Sequence, residues 1–141
     1  MLPPQTGRGG EFFPGGGGSG DVLLAKSDKY GAMKWARQFG SDASDVATAV
    51  AVSPRGDVYV GGYTYGAIAT GGGTSGDAFI AKYDKDGKWI GTWGKRGQGH
   101  GEFWTVHNVV IDKNDHVWVA DRSNGRIQVF DTEGVFLREV I

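Results

Sequence analysis

Short apolar runs alternate with polar, Gly- or Asp-containing segments along most of this chain. The runs VLLA at 22–25 and NVVI at 108–111 are dominated by apolar residues, a pattern typical of strands that are covered on both faces. Val, Ile, Tyr, Trp and Phe dominate such runs, and these side chains suit a pleated, buried surface. The pattern therefore predicts many short β-strands joined by tight turns.

The first recurring unit is a strand pair joined by an Asp-x-x-Gly turn. Residues 15–31 align without a gap with residues 71–87, and a degenerate third copy, NGRIQVFDTEG, covers residues 124–134 with Asp131 and Gly134 at its turn. The strands MKWARQF, KWIGTW and VFLREV follow the three turns. The alignment places Asp21 on Asp77, Lys26 on Lys82, Asp28 on Asp84 and Gly31 on Gly87.

The second recurring unit is also a strand pair. Residues 48–60 align without a gap with residues 107–119, and both join two apolar runs across a polar turn. The alignment places Thr48 on His107, Val58 on Val117, Tyr59 on Trp118 and Val60 on Val119. The chain thus runs as one outer strand pair followed by two full sets of inner and outer pairs.

This order predicts an all-β fold of β-propeller blades, each a four-stranded antiparallel sheet, with about two and a half blades per chain. We expect an irregular N-terminal segment at 1–14, a half blade at 15–40, and complete blades at 46–94 and 105–141. An Asp- or Ser-capped helix over SDASDVATAVAV, residues 41–52, is the alternative. Its alignment with a clear strand argues against the helix.

The repeats resemble two known families. WARQFGSDASDVATAVAVSPRGDVYVGGYT and GDAFIAKYDKDGKW, within residues 15–93, resemble the bacterial SBBP propeller repeat. GKRGQGHGEFWTVHNVVIDKNDHVWVADRSNGRIQVFDTEGVFL, within 94–141, resembles an NHL repeat. Both resemblances imply a propeller fold. Two repeat families in one short chain leave open whether it is a chimera, a fragment or an engineered protein.

Composition narrows the function. The 15 basic and 16 acidic residues form no like-charged block, so the footprint of a nucleic-acid binder and the basic face of a membrane-surface helix are both missing. The absence of cysteine excludes a disulfide scaffold, a Cys-ligated metal and a thiol nucleophile. No apolar run resembles a signal peptide or a membrane span, and the localisation stays open.

A partial propeller predicts self-association. Repeat units bury their apolar faces only against neighbours, and open strand edges pair with other chains. Two copies would bring five blades' worth of strands, and a dimer would let the N-terminal pair of one chain complete a blade of the other. We therefore expect a homo-oligomer, with a dimer favoured.

Function is expected to be non-enzymatic, that of a scaffold or binding module without a cofactor. Loops on rigid scaffolds carry function, so a peptide or carbohydrate ligand would bind at the mouth of the central channel. Trp104 lies in a loop and is the best aromatic candidate for an exposed contact. The predicted ligand-binding residues are Trp104, His107, Arg122, Asn124 and Arg126.

The alternative function is a metal-dependent lyase. The segment TVHNVVID around His107 is similar to places where NHL enzymes that cleave peptidyl-hydroxyglycine hold zinc. Zinc catalysis needs about three protein ligands, and the other full blade has Thr48 at the aligned position. We therefore predict no metal site and no catalytic residue. His100 and His116 are expected to be solvated.

Two further patterns have simpler explanations. Asp84-x-Asp86-Gly87 is similar to the start of a calcium loop, but Asp and Gly are also the usual residues of a hairpin turn. Trp35, Trp89 and Phe136 are assigned to equivalent positions of the outer strands, which favours packing between blades over ligand binding.

Overall fold

A computed structural model describes residues 21–41, 44–65 and 77–141, and within them the chain is all-β, as predicted. The segment 1–14 and the Gly-rich links at 15–20 and 71–76 lie outside the described residues. A short 3-10 turn spans Arg122–Asn124. The strands are β1 Val22–Ser27, β2 Met33–Phe39, β3 Asp45–Val52, β4 Val58–Thr64, β5 Asp77–Tyr83, β6 Trp89–Trp93, β7 Val106–Ile111, β8 Val117–Asp121, β9 Arg126–Phe130 and β10 Phe136–Val140.

The strands form three antiparallel sheets in chain order: the pair β1–β2, then β3–β4–β5–β6, then β7–β8–β9–β10. The expected half blade and two complete four-stranded blades are therefore confirmed. Asp45–Val52 is a strand, so the helical alternative for residues 41–52 is wrong. The bounds proposed for the individual units stay a prediction.

The Asp-x-x-Gly segments form one recurring turn. The Oδ1 atom of Asp84 accepts hydrogen bonds from the backbone N–H groups of Asp86, at 2.8 Å, and Lys88, at 2.9 Å. The Gly87 N–H donates to the Asp84 carbonyl at 3.0 Å, and Gly87 has a φ of 85°, which suits glycine. Asp28 and Asp131 accept the same two backbone bonds. The carboxylate at 84 thus shapes a hairpin turn.

The first hydrophobic core joins the small sheet to the central sheet. Phe39 is fully buried, and its ring lies 5.9 Å from the ring of Phe79 in an edge-on arrangement, a favourable aromatic geometry. The buried members of this core are Val22, Leu24, Trp35, Phe39, Val58, Val60, Phe79, Ala81 and Tyr83. The small sheet therefore packs as a neighbouring blade would.

The second core joins the central sheet to the last sheet. Tyr59, Ala78 and Ile80 face it from the central sheet. Alternate residues of β4 point to opposite cores, as the period of a strand requires. The last sheet and the loop before it contribute Phe103, Val106, Val109, Val117, Val119 and Phe130. The central sheet is therefore covered on both faces, and all seven residues of β5 are buried.

The expected equivalence of Trp35 is wrong by two residues. Met33 pairs with Ser27 as Trp89 pairs with Tyr83, so Met33 holds the position of Trp89. The packing prediction itself is sound for Trp35, because this side chain is buried in the first core and its indole N–H donates to the Lys85 carbonyl at 3.1 Å.

The described ranges hold no helix with the length and apolar character that crossing a bilayer requires.

Candidate functional site

The predicted binding residues lie at one end of the last sheet. Trp104 precedes β7, His107 lies on β7, and Arg122 and Asn124 follow β8. The 3-10 turn is joined to the segment before β7, because the Arg122 N–H donates to the Thr105 carbonyl at 3.0 Å. The turns at Asp28, Asp84 and Asp131 lie at the opposite end of the strands.

A buried carboxylate organises this end. Asp121 is fully buried, and its Oδ1 atom accepts hydrogen bonds from the backbone N–H groups of Trp104 and Thr105, both at 3.0 Å. Its Oδ2 atom accepts from Asn124 Nδ2 at 2.6 Å and Arg126 Nε at 3.3 Å. A buried carboxylate is stable only when its oxygens are paired in this way. Asp121 therefore fixes the position of Trp104.

Arg126 is a clamp between strand and loop. Its Nη1 donates to the Gln98 carbonyl at 2.8 Å and to Glu139 at 2.9 Å, and its Nη2 donates to the carbonyls of Gly99 and Glu102, both at 2.9 Å. With Nε on Asp121, all five guanidinium N–H donors are used. The geometry thus gives Arg126 a positioning role.

The remaining candidates differ in exposure. Asn124 donates to the Gly97 carbonyl at 2.9 Å as well as to Asp121, so its amide holds the same loop. Trp104 is 43% exposed, and Arg122 is exposed. Among the predicted residues at this end, Trp104, His107 and Arg122 therefore have side chains that a ligand can reach.

A cleft between the central and last sheets gathers residues that sequence analysis did not single out. It encloses about 260 Å³, and Tyr63, Tyr65, Arg96 and Trp104 are among its lining residues. The guanidinium of Arg96 lies 4.1 Å from the centre of the Trp104 ring, a cation–π distance. The two tyrosine rings meet edge-on at 5.8 Å. The alternating aromatics of GGYTY, residues 61–65, were the available sequence signal.

The central sheet has its own buried carboxylate at the same end. The Asp45 carboxylate accepts hydrogen bonds from the Ser41 N–H at 2.7 Å, the Ser41 hydroxyl at 2.8 Å and the Thr64 hydroxyl. The repeat equivalent of the Val106–Asp121 pair is the Ala47–Gly62 pair, and Asp45 pairs with Thr64 two residues further along these strands. The two blades therefore place their buried acids on opposite strands and at different pairs.

His107 belongs to no metal-binding cluster of the residues that the structure describes. Its side chain is exposed on β7, and the described residues contain no group of three His, Cys, Asp or Glu side chains that could hold a metal ion. The aligned Thr48 donates to the Val106 carbonyl at 2.6 Å. The residues that the structure describes do not fit the zinc site of the lyase hypothesis.

Of the other two histidines, His100 is exposed but stacks on Phe136 with ring centres 3.9 Å apart. His116 is partly exposed, and its Nδ1 atom lies 3.5 Å from Oδ2 of Asp112. The pKa of the Asp112 carboxyl is lowered, chiefly by the hydrogen bond that it accepts from Trp118 Nε1 at 2.9 Å.

Comparisons with known proteins identify the repeats. A family described as NHL repeat matches residues 103–130, and one described as Beta-propeller repeat (SBBP) matches residues 34–68. These matches fall on the last sheet and on β2 through β4. Both assignments agree with the resemblance that the sequence motifs indicate.

Three curated relatives match parts of the chain. Protein lin-41 of Caenorhabditis elegans is 46% identical over 46 residues, or 33% of this chain and 4% of the relative. NHL repeat-containing protein 3 of Homo sapiens is 37% identical over 82 residues, which cover 58% of this chain and 21% of the relative. Peptidylglycine alpha-amidating monooxygenase of Rattus norvegicus is 36% identical over 67 residues, which cover 43% of this chain and 7% of the relative.

The chain spans about a fifth or less of the length of each of these relatives. The two family matches and the three antiparallel sheets agree on the architecture. The chain is therefore a partial β-propeller that carries both an SBBP repeat and an NHL repeat.

Proposed function

We propose that this chain is a non-enzymatic β-propeller interaction module that binds a peptide at the Trp104 cleft. The observation that carries the proposal is the half-exposed Trp104 side chain, whose backbone N–H is held by Asp121 and which lines the same cleft as Tyr63 and Tyr65. Trp, Tyr and Arg are the residues that most often dominate binding surfaces. The exposed Arg122, whose backbone N–H donates to the carbonyl of the cleft residue Thr105, favours a peptide with acidic side chains.

The test is a binding screen of peptide and glycan arrays against the full chain, followed by titration of the best peptide. We expect Trp104→Ala to weaken peptide binding at least tenfold and Arg122→Ala to weaken it less. Tyr30→Ala is the matched control, because Tyr30 is an 83% exposed aromatic residue at the opposite end of the strands. Glycan binding alone, or a Trp104→Ala variant that binds like the parent chain, contradicts the proposal.

We further propose that two copies of the chain close into a ring. The face of the last sheet that points away from the central sheet carries an apolar patch, in which Val110 is 54% exposed beside Trp118, Ala120 and Ile127. Both four-stranded sheets are complete within one chain. A dimer would therefore close by packing sheet faces rather than by sharing strands. The joining of two repeat families also supports an origin by recombination or engineering.

Solution mass tests the ring. Light scattering after gel filtration is expected to give twice the chain mass of 15.0 kDa, and Val110→Asp is expected to shift the mass toward that of one chain. A monomeric parent chain with a cooperative melt contradicts the ring.

The lyase hypothesis rests on the match to the rat monooxygenase and on the single His107. Metal analysis of the purified full chain distinguishes it from the interaction module. Stoichiometric zinc that is lost in His107→Ala supports the lyase; a zinc-free chain contradicts it.

A further inference from the structure

Within the described ranges, β1 has a partner strand on one edge only. Residues 21–31 align with residues 77–87, which makes β1 the repeat equivalent of β5. In the central sheet β5 lies between β4 and β6, whereas the structure describes only β2 beside β1. An unpaired edge presents a row of backbone N–H and C=O groups to any strand that can reach it.

The sheet face beside this edge is uncovered. Val50 is 57% exposed and Val52 is 54% exposed, whereas Val109, which aligns with Val50, is only 3% exposed. Val109 packs closely against β4, because a Cβ added to Gly61 of that strand would be 3.2 Å from a methyl group of Val109. The small sheet has no counterpart of β3 and β4 among the described residues, and Val50 is exposed for that reason.

A cleft of about 280 Å³ lies beside β1, where counterparts of β3 and β4 would pack on the small sheet. It is lined by residues of β1, β3 and β4, including Leu24, Val50 and Val60. These side chains are apolar, so the cleft suits an apolar strand face.

Lys26 is already held in the orientation of its repeat equivalent. Lys82 Nζ donates to the Thr132 carbonyl of the following sheet at 2.7 Å, and Lys26 Nζ lies 3.4 Å from the carbonyl of Lys85, the repeat equivalent of Thr132. Lys26 Nζ also donates to the Gly56 carbonyl of the central sheet at 2.8 Å. Lys82 also lies 5.2 Å from the ring of Tyr59, its cross-strand partner. A strand that joined β1 would place a residue at this position over Lys26, and an aromatic ring would suit it.

We propose that the seat formed by the β1 edge and the Val50 face binds a β-hairpin of the β3–β4 type from another polypeptide. Its second strand pairs antiparallel with β1, and its first strand covers Val50 and Val52. The chain itself shows the chemistry that fits. The face of the β3–β4 hairpin that covers the last sheet presents Ala49, Ala51, Tyr59 and Gly61.

The seat favours a small residue near the centre of such a hairpin, because Val50 has the place there that Val109 has beside Gly61. A Cβ at Gly61 would be 2.5 Å from a methyl group of Val106, so a larger residue cannot approach the neighbouring sheet as closely. A second copy of this chain is not the donor, because β4 of each copy is already paired with its own β5. The seat shares no residue with the Trp104 cleft, so each proposal can fail without the other.

The test uses the full chain and a synthetic peptide with the sequence of residues 44–65, SDVATAVAVSPRGDVYVGGYTY. Calorimetry is expected to show saturable binding of one peptide per chain, and amide exchange of Val22–Ser27 is expected to slow on binding. A peptide carrying Gly61→Leu is the control and is expected to bind at least tenfold more weakly.

Two variants of the chain locate the seat. Val50→Asp is expected to weaken peptide binding at least tenfold, whereas Ile90→Asp, at an apolar residue of similar exposure on the outer strand β6, is expected to leave it unchanged. Absence of binding, or equal binding by the Val50→Asp variant, overturns the proposal. Protection, without peptide, of the β1 amides that point away from β2 also overturns it, because that edge is then occupied.

Discussion

Arg126 Nε donates to the Asp121 carboxylate at 3.3 Å, and the two side chains are only 6% and 0% exposed. Removing one partner of a buried ion pair leaves a buried charge without compensation. We expect Arg126→Ala to lower the free energy of unfolding by about 3 kcal/mol, measured by urea denaturation. Arg122→Ala is the control, because this exposed side chain should change stability little. An Arg126→Ala variant as stable as the parent would show that the clamp is unimportant.

Tyr83→Phe is expected to stabilise the chain. The Tyr83 side chain is fully buried, and its hydroxyl has no hydrogen-bond partner within the described ranges. The aligned residue of the last sheet is Phe130, which fills the same place without a hydroxyl. Removing an unsatisfied buried hydroxyl should raise the free energy of unfolding by about 1 kcal/mol.

Thermal and urea denaturation of the Tyr83→Phe variant test this gain. Tyr59→Phe is the matched control. The Tyr59 hydroxyl lies 3.5 Å from the Thr132 carbonyl oxygen, so removing this hydroxyl should not stabilise the chain. A destabilised Tyr83→Phe variant would indicate that the hydroxyl has a partner.

Asp115→Gly is expected to relieve backbone strain. Asp115 has a φ of 64°, and the equivalent turn position is Gly56 in the central sheet, with a φ of 94°. Glycine adopts this region without the steric conflict of a Cβ, so we expect a gain of roughly 0.5 kcal/mol. The ion pair of Asp115 with Arg55, at 3.8 Å, involves an exposed guanidinium and contributes little. Asp115→Ala keeps the strain, and its melting temperature should not rise.

Stability is expected to fall at alkaline pH through Tyr59. Burial, assisted by the nearby Asp57 carboxylate, raises the pKa of Tyr59 from 10.0 to about 12. Because the folded pKa lies above the unfolded one, this contribution is complete below pH 10 and is lost as the pH rises toward 12. Absorbance of the tyrosinate at high pH should show this late titration.

The control for the alkaline effect is Tyr59→Phe, whose free energy of unfolding should fall less between pH 10 and pH 12 than that of the parent chain. Burial also raises the pKa of Tyr83, so the variant keeps part of the pH dependence. Equal losses in the two proteins would contradict the assignment to Tyr59.

The sheets were predictable because the turn that joins their strands repeats. The turn of each outer strand pair begins with Asp and has Gly three residues later. Local hydrogen bonds and a positive φ favour Asp and Gly at these two positions. The position of Trp35 was missed because matching Trp35 with Trp89 by residue type ignores the register. Counting from Gly31 and Gly87 instead gives the observed pairing of Met33.

The candidate site was less predictable, because its contacts join distant parts of the chain. Arg126 belongs to the polar segment DRSNGR and was predicted to bind a ligand. Its guanidinium instead turns toward carbonyl groups about 25 residues earlier. The approach of Tyr63 to Trp104 depends on how two sheets pack, and local sequence carries no signal of that distance.

The complete burial of β5 makes the central sheet the shared element of both cores. In a row of repeats, stability is passed from each unit to its neighbours. Whatever orders the small sheet, such as an added hairpin, therefore also slows the opening of β5 and protects the contacts on its other face. A binding event at one end of the row thus becomes thermodynamically linked to the rigidity of the Trp104 loop at the other.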